Sequence, residues 1–321
     1  MSTTEAIRWG LLGTSRINAK LLAGARLSAN AEVVAVGSRS MTTAETYARA
    51  NGIERVHGSY EALLADPEVD AVYIPLPNAL HHPWTLAALA AGKHVLCEKP
   101  YTRHPQEVDE AWDAAEAAGL VLMEAFMWRH TPQADRLVAL LPHIGELVAV
   151  RSTFSHRLRD DADIRVSAPL EGGSLMDVGC YCVSGARLIA GEEPELVFGQ
   201  QVTTADGVDR RFAGLMRFPS GLVATFHAGF DAFTESLEVV GREGTISLPD
   251  PWHSTQGLLL VDGEEEHVEA INPYQCELDD MAAAIRGKKA PRLGRADAMG
   301  QARAIDALYR SAETGLPVSL V

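Results

Sequence analysis

The sequence predicts a two-part α/β protein: a doubly wound parallel sheet, then an α+β domain with a large, mainly antiparallel sheet. Three observations predict it. Before residue 125, six short apolar runs alternate with helical stretches, the rhythm of βαβ units. After that point strands follow one another through turns, which favours antiparallel pairing. The length, 321 residues, suits about two domains of ordinary size. The expected division is 1–125 and 126–321.

Composition narrows the function classes. With 47% hydrophobic and 22% charged residues the chain can fill a sizeable core. A formal net charge of −15 argues against nucleic acid as a partner, because phosphate binding needs basic patches. Cys97, Cys180, Cys182 and Cys276 show no metal or disulfide spacing. No apolar run is long enough for a membrane span, and polar residues lead straight into the first strand without a signal peptide. The expected compartment is the cytoplasm.

Ile7 to Leu12 is the first apolar run. It ends in Gly13-Thr14-Ser15-Arg16-Ile17-Asn18, after which Ala19 to Ala25 reads helical. Strand, tight turn and helix form the context of a dinucleotide fingerprint, the mark of a Rossmann domain. Only the first of its three glycines is present; Ser15 and Asn18 stand at the others. Gly13 permits the turn, Ser15 is still small, and backbone N–H groups at the helix start suit a pyrophosphate.

Glu32 to Gly37 is the second strand, followed by Ser38-Arg39. A site for NAD usually puts an acidic residue here for the ribose hydroxyls. A hydroxyl and a guanidinium suit a 2′-phosphate instead, which favours NADP over NAD. The plain alternative is an exposed turn arginine. Thr42 and Glu45 read as a capping box for a helix through Asn51, with Gly52 as its stop. Arg55 to His57 is a short strand, and Ser59 caps a helix from Tyr60 to Ala65. The strand Ala71 to Ile74 breaks at Pro75-Leu76-Pro77-Asn78, at the sheet edge where ligands bind. His81 and His82 open the next helix. Neither has ligand partners at a useful spacing, so no metal is read.

Gly92 ends that helix, and His94 to Cys97 is a buried strand leading into Glu98-Lys99-Pro100. The plain reading of Lys99 is a loop lysine. Its place at the carboxyl end of a parallel strand is that of a working group. Pro105 to Ala118 is helical and Val121 to Glu124 is the sixth strand. The second half holds a helix at Pro132 to Leu141, a long strand at Val148 to Phe154, and a polar loop from Ser155 to Glu171. Leu175 to Ile189 reads as a helix on which Asp177 and Tyr181, four apart, share a face. Strands follow at Leu196 to Thr204, Arg211 to Phe218, Val223 to Ala228 and Leu237 to Val240, with Pro219-Ser220-Gly221 as a hairpin turn. Helices near Tyr274 to Arg286 and Arg295 to Glu313, then a strand at Pro317 to Leu320, close the chain.

Glu98-Lys99-Pro100, with Pro77-Asn78 and His81 upstream and Gly172-Gly173 before Asp177-Val178-Gly179, resembles the signatures of the Gfo/Idh/MocA family of nicotinamide-dependent sugar and polyol oxidoreductases. Tyr181 stands where many members have histidine. With Glu124 to Arg129, it resembles the branch of dihydrodiol dehydrogenases, glucose–fructose oxidoreductase and NADP-dependent xylose dehydrogenases. Ser184 replaces the usual second aspartate, so inositol-type contacts are not carried over.

The resemblance implies that Lys99 sits beside the nicotinamide and meets Asp177 and Tyr181 in an interdomain cleft. It implies cofactor contacts from Gly13, Thr14, Ser15, Arg16, Ile17, Ser38, Arg39, Pro75, Leu76, Asn78, His81, Glu98, Lys99, Trp128 and Arg129. Phe154, Arg165 and Phe230 are substrate candidates, with His156 and Phe233 beside them. For Tyr181 the plain alternative is core packing, for Asp177 a helix-terminal carboxylate, and for Arg165 a solvated side chain. Tyr181 as proton acceptor beside a Lys99 ammonium is the first reading; Lys99 as neutral base is the second.

The implied activity is hydride transfer between NADP and a secondary alcohol, hemiacetal or ketone of a sugar or polyol. Alternatives are a trans-dihydrodiol substrate, glycoside hydrolysis by transient oxidation, and a dinucleotide-sensing regulator. The open face of the second sheet predicts a homodimer or homotetramer.

Overall fold

The computed structural model describes residues 5–160 and 163–320. The polar first four residues and positions 161–162 of the expected loop lie outside it. Among the described residues no helix is long and apolar enough to cross a membrane. The chain divides into two compact units. One is Met1–Thr102 with Gln106–His130 and Asn272–Ala298; the other is Arg103–Pro105 with Thr131–Ile271 and Met299–Val321.

The first unit holds a six-stranded sheet of β1 (Ile7–Leu12), β2 (Ala31–Gly37), β3 (Arg55–His57), β4 (Ala71–Ile74), β5 (His94–Glu98) and β6 (Leu122–Ala125), in the order β3-β2-β1-β4-β5-β6. Every neighbouring pair is parallel. All four residues of β4 are buried, as a strand covered on both faces requires. The strand order reverses between β1 and β4, so the crevice at their carboxyl ends is the expected ligand position. The helices α1 (Asn18–Leu27), α2 (Met41–Asn51), α3 (Tyr60–Leu64), α4 (His81–Ala90) and α5 (Pro105–Ala118) alternate with the strands.

Two expectations are corrected here. The capping box of Thr42 and Glu45 does not form. Ser40 has extended backbone and accepts from the Thr43 N–H at 3.4 Å, so α2 starts at Met41 and Thr42 lies inside it. The helix Pro273–Ile285 belongs to the first unit, not to the second as the sequence division has it. It crosses α1 at Gly24, where an added Cβ would stand 2.7 Å from the Tyr274 and Gln275 backbone. Only glycine allows that approach, and a lone internal glycine in α1 gave no hint of its partner.

The second unit is built on nine strands: β7 (Leu147–Ser155), β8 (Leu196–Thr203), β9 (Asp209–Arg217), β10 (Val223–Gly229), β11 (Thr234–Gly241), β12 (Thr245–Leu248), β13 (Leu258–Val261), β14 (Glu264–His267) and β15 (Val318–Ser319). Their order is β14-β13-β12-β11-β7-β10-β9-β8-β15. Only β7 with β10 is parallel; the other described pairs are antiparallel. On β7, Val150, Ser152 and Phe154 point to the buried face. The strands β12 to β14 escape the sequence reading because each has four residues, and β14 is Glu-Glu-Glu-His with no apolar alternation.

The expected helix from Leu175 to Ile189 is not one regular α-helix. Leu175–Gly179 is π-helical, with the Cys180 N–H donating to the Leu175 carbonyl, and α6 (Pro132–Leu140) is followed by α7 (Cys180–Ala190) only after that wide turn. Wide turns of this kind recur at functional sites. Its start is fixed by the buried Asp209, which accepts from Ser174 Oγ at 2.7 Å, Leu175 N–H at 2.7 Å and Tyr309 Oη at 2.8 Å.

Candidate active site

In the first unit the candidate residues collect at the carboxyl ends of the strands. Gly13 turns the chain after β1 with φ +105°, a conformation that favours glycine. Asn18 is fully buried and its amide donates to the Gly13 carbonyl at 2.9 Å, which locks the turn. Asn18 therefore does the work of a third fingerprint glycine by a different means. No side chain caps α1, and no acidic residue lies in its first turn. That terminus offers its positive end to an anion. At the end of β2, Ser38 is buried and Arg39 exposed, and no acidic residue adjoins them in the sequence. The residues present fit the pyrophosphate and the 2′-phosphate of NADP.

Leu76 lies against Gly13, 3.4 Å from where a Cβ would stand. His81, read from sequence as a cofactor contact, is 1% exposed. Its ring nitrogens meet the Pro100 carbonyl at 3.0 Å and the Leu76 carbonyl at 2.8 Å. The ring thus ties the turn after β4 to the turn after Lys99. Burial pushes its pKa down while the two carbonyls pull it up, and burial wins. His82 is structural, bonded to Tyr101 Oη at 2.9 Å and Glu110 at 3.2 Å.

Lys99 is half-buried at the end of β5, and the Lys99–Pro100 peptide is cis. Glu98 accepts a hydrogen bond from Tyr73 Oη and the Lys99 N–H at 3.2 Å. Burial, then the Glu98 charge, pushes the Tyr73 phenol well up, so it stays a donor. Glu98 is thereby held within the protein. Trp128 is buried, and the Arg129 guanidinium lies 5.8 Å from its ring and 3.4 Å from Asp297. These two, read from sequence as cofactor contacts, are engaged with each other and with Asp297.

In the second unit Asp177 and Tyr181 lie at the junction of the π-helical turn with α7. The Asp177 Oδ2 accepts from Arg165 Nε at 2.9 Å and meets His156 Nε2 at 2.9 Å. Asp177, foremost among its neighbours, raises the Arg165 pKa further. Arg165 is thus a partner of Asp177 and of Asp163, not a solvated side chain. Tyr181 is 6% exposed, with the Phe154 ring edge-on at 5.1 Å and Trp252 tilted at 6.1 Å. Phe154 stacks on Trp252 at 6.3 Å, and Phe230, fully buried, lies against His156 at 5.1 Å. Phe233, named from sequence beside the substrate candidates, is 63% exposed and borders a groove with Thr153, Arg211 and His227.

The structure therefore brings together Asp177, Arg165 and His156, and separately Tyr181, Phe154 and Trp252. Lys99 lies in the first unit and Asp177 and Tyr181 in the second. Sequence reasoning missed Trp252, whose Nε1 donates to the Thr153 carbonyl at 2.8 Å. A tryptophan after proline in a turn carries no periodic signal. It also missed Tyr73, a hydroxyl in an otherwise aliphatic strand, which was a readable hint.

Comparison with known proteins extends this picture. A family model described as "Oxidoreductase family, NAD-binding Rossmann fold" matches residues 7–126. A second, the "GFO/IDH/MocA C-terminal domain", matches residues 142–247. The D-xylose 1-dehydrogenase (NADP(+)) 2 of Haloferax volcanii is 41% identical, over 97% of this chain and 99% of its own. Aldose-aldose oxidoreductase from Caulobacter crescentus, solved with glycerol, superposes with TM-score 0.90 at 26% identity, covering 98% of this chain and 100% of the other. A 3-ketoreductase from Actinomadura kijaniata, solved with NADP and TDP-benzene, gives TM-score 0.89 at 30% identity, over 95% and 98%. That ketoreductase has also been solved with one tyrosine replaced by phenylalanine and with one lysine replaced by alanine.

Proposed function

Because this chain belongs to the Gfo/Idh/MocA family of oxidoreductases, we propose that it transfers a hydride between NADP and a secondary alcohol, hemiacetal or ketone of a sugar or polyol. The observation that carries the reading is the whole-length likeness to an NADP-dependent xylose dehydrogenase. Ser38-Arg39 at the end of β2 supports the same cofactor. The α1 terminus would hold the pyrophosphate, Ser38 and Arg39 the 2′-phosphate, and the turns after β4 and β5 the nicotinamide end. Bound there, the nicotinamide takes up or supplies the hydride.

Hydride loss from a carbinol leaves an alkoxide unless its proton departs. In this reading Tyr181 takes that proton as phenolate. A free phenol ionises near pH 10, too high for neutral conditions, so a neighbouring positive charge is needed. Lys99 supplies it as ammonium and also stabilises the charge that develops on the substrate oxygen. The two would titrate as a pair. Asp177, held by Arg165 and His156 one helical turn before Tyr181, serves to orient a substrate hydroxyl beside the pair. A tyrosine and a lysine are also what the ketoreductase variants replace, which supports these roles.

The reading extends to a cytoplasmic homodimer or homotetramer built on the nine-stranded sheet. Val202 and Phe233, at 51% and 63% exposure, support it as apolar groups for a second copy to cover. The function is tested by a screen of aldoses, ketosugars, polyols and dihydrodiols with NADP and NAD. Turnover of a sugar with NADP is expected. Turnover of dihydrodiols alone, or of nothing in the screen, contradicts the reading.

A further inference from the structure

From the arrangement of Glu235, Asp250 and His253 we infer a binding site for one divalent transition cation in the second unit. Glu235 lies on β11, opposite Phe154 of β7. Asp250 and His253 lie in the turn that follows β12. The ligand atoms of the three all lie within 4.8 Å of one another. His253 Nδ1 stands 2.9 Å from Glu235 Oε2 and 3.9 Å from Asp250 Oδ1. Ligands that each sit about 2.0–2.2 Å from one ion stand roughly 3–4 Å apart, so small side-chain shifts complete the set.

Two features separate this cluster from an ordinary ion pair. First, Asp250 is 4% exposed, and its Oδ2 is already used by the Thr255 N–H at 2.7 Å and Thr255 Oγ1 at 2.6 Å. Its Oδ1 is buried without a hydrogen-bond partner and belongs to the set that faces His253. A buried acceptor left unmade is costly, and a cation is one way to satisfy it. Second, the charges do not balance. The side chains of Glu235 and Asp250 are 11% and 5% exposed, and among the described residues neither is within ion-pair distance of a lysine or arginine. One imidazole offsets at most one of the two carboxylates. A dication offsets both.

One imidazole nitrogen with two carboxylate oxygens is a borderline donor set. It suits Zn²⁺, Co²⁺ or Mn²⁺, with water in the remaining positions. As the cation enters, it takes the place of the His253 Nδ1–Glu235 contact, and a neutral imidazole keeps its one N–H by carrying it on Nε2. The ion would tie β11 to the turn that carries Trp252. His253 lies edge-on to Phe154 at 5.6 Å, so the site stands one aromatic layer from Tyr181. The sequence alone did not suggest it, because the three ligands are not spaced as a metal motif.

The test uses the full-length protein after exhaustive treatment with a chelator. Zn²⁺ and Co²⁺ are titrated by calorimetry, and the visible absorption of bound Co²⁺ is recorded. The expected result is one ion per chain and a raised melting temperature with Zn²⁺. Glu235→Gln and Asp250→Asn, near-isosteric and checked by melting curves, should each weaken binding by at least about 10–100-fold, the loss that removing even an outer-shell partner brings. His267→Ala, which removes the exposed histidine beside Glu265, should leave it unchanged. No saturable binding, or binding that survives in Glu235→Gln and Asp250→Asn, would mean that the cluster is an ion pair only and overturn the inference.

Discussion

Replacing Asp209 measures how strongly the start of the Asp177–Tyr181 segment is held. Its carboxylate takes three hydrogen bonds while 2% exposed: from Ser174 Oγ and Leu175 N–H on one oxygen, and from Tyr309 Oη on the other. In Asp209→Ala the two hydroxyls can turn, losing about 1 kcal/mol each, but the buried Leu175 N–H cannot, at about 1–3 kcal/mol. The sum is about 3–5 kcal/mol, or roughly 6–20 °C in melting temperature at about 2–4 °C per kcal/mol. Asp209→Asn keeps an oxygen for Ser174 and Leu175 and makes Tyr309 reverse its bond, so it should lose only about 1 kcal/mol.

The pH dependence of Asp209 has a definite sign. Burial raises the Asp209 pKa despite its three donors. Below the unfolded value, about 3.9, both states are protonated and its contribution is complete. As pH rises through the raised folded value that contribution is lost. The gap between wild type and Asp209→Asn should therefore narrow as pH rises from about 4. Scanning calorimetry across that range is the assay. An Asp209→Ala protein within about 1 kcal/mol of wild type, or a gap that widens with pH, refutes the reasoning.

Three further outcomes are expected. Arg39→Ala should raise the KM for NADP roughly tenfold or more and leave that for NAD nearly unchanged, because only NADP carries the 2′-phosphate; equal effects would remove Arg39 as the discriminator. Glu277 is fully buried, neither carboxylate oxygen has a hydrogen-bond partner, and burial foremost, then the Glu98 charge, raises its pKa well above the usual range. Its contribution is complete below the unfolded value and lost as pH rises, so Glu277→Gln should raise the melting temperature near pH 8 and change it little near pH 4. Light scattering at micromolar concentration should give at least a dimer, and a monomer would defeat the proposed assembly.

How far the sequence could be read follows from where the information lies. The parallel sheet was legible because strands buried on both faces are unbroken apolar runs and their punctuating residues, Gly52, Gly92 and Gly119, end helices in the left-handed region, with φ of +72°, +76° and +66°. The long strands of the second sheet alternate and were legible too. Their short edge companions β12 to β14 were not, because pairing rather than periodicity defines them. Lys99, Asp177 and Tyr181 are singled out by local motif. What surrounds them is not: Arg165 and His156 reach Asp177 from 12 and 21 residues away, and Trp252 reaches Tyr181 from a turn on the far side of the sheet sequence. Contacts across that much chain leave no spacing to read. The contacts of the His81 ring nitrogens with the Leu76 and Pro100 carbonyls were likewise not legible from its motif.

The account rests most on Tyr181 as the proton acceptor. Tyr181→Phe keeps the ring against Phe154 and Trp252 and removes only the hydroxyl. The direct measurement is the pH profile of kcat for sugar oxidation in this variant, beside wild type, with NADP binding followed separately. The account predicts a loss of about 10²–10⁴ in rate, disappearance of the alkaline rise, and NADP affinity unchanged. Near-normal turnover with the wild-type profile would make Tyr181 a packing residue and contradict the mechanism.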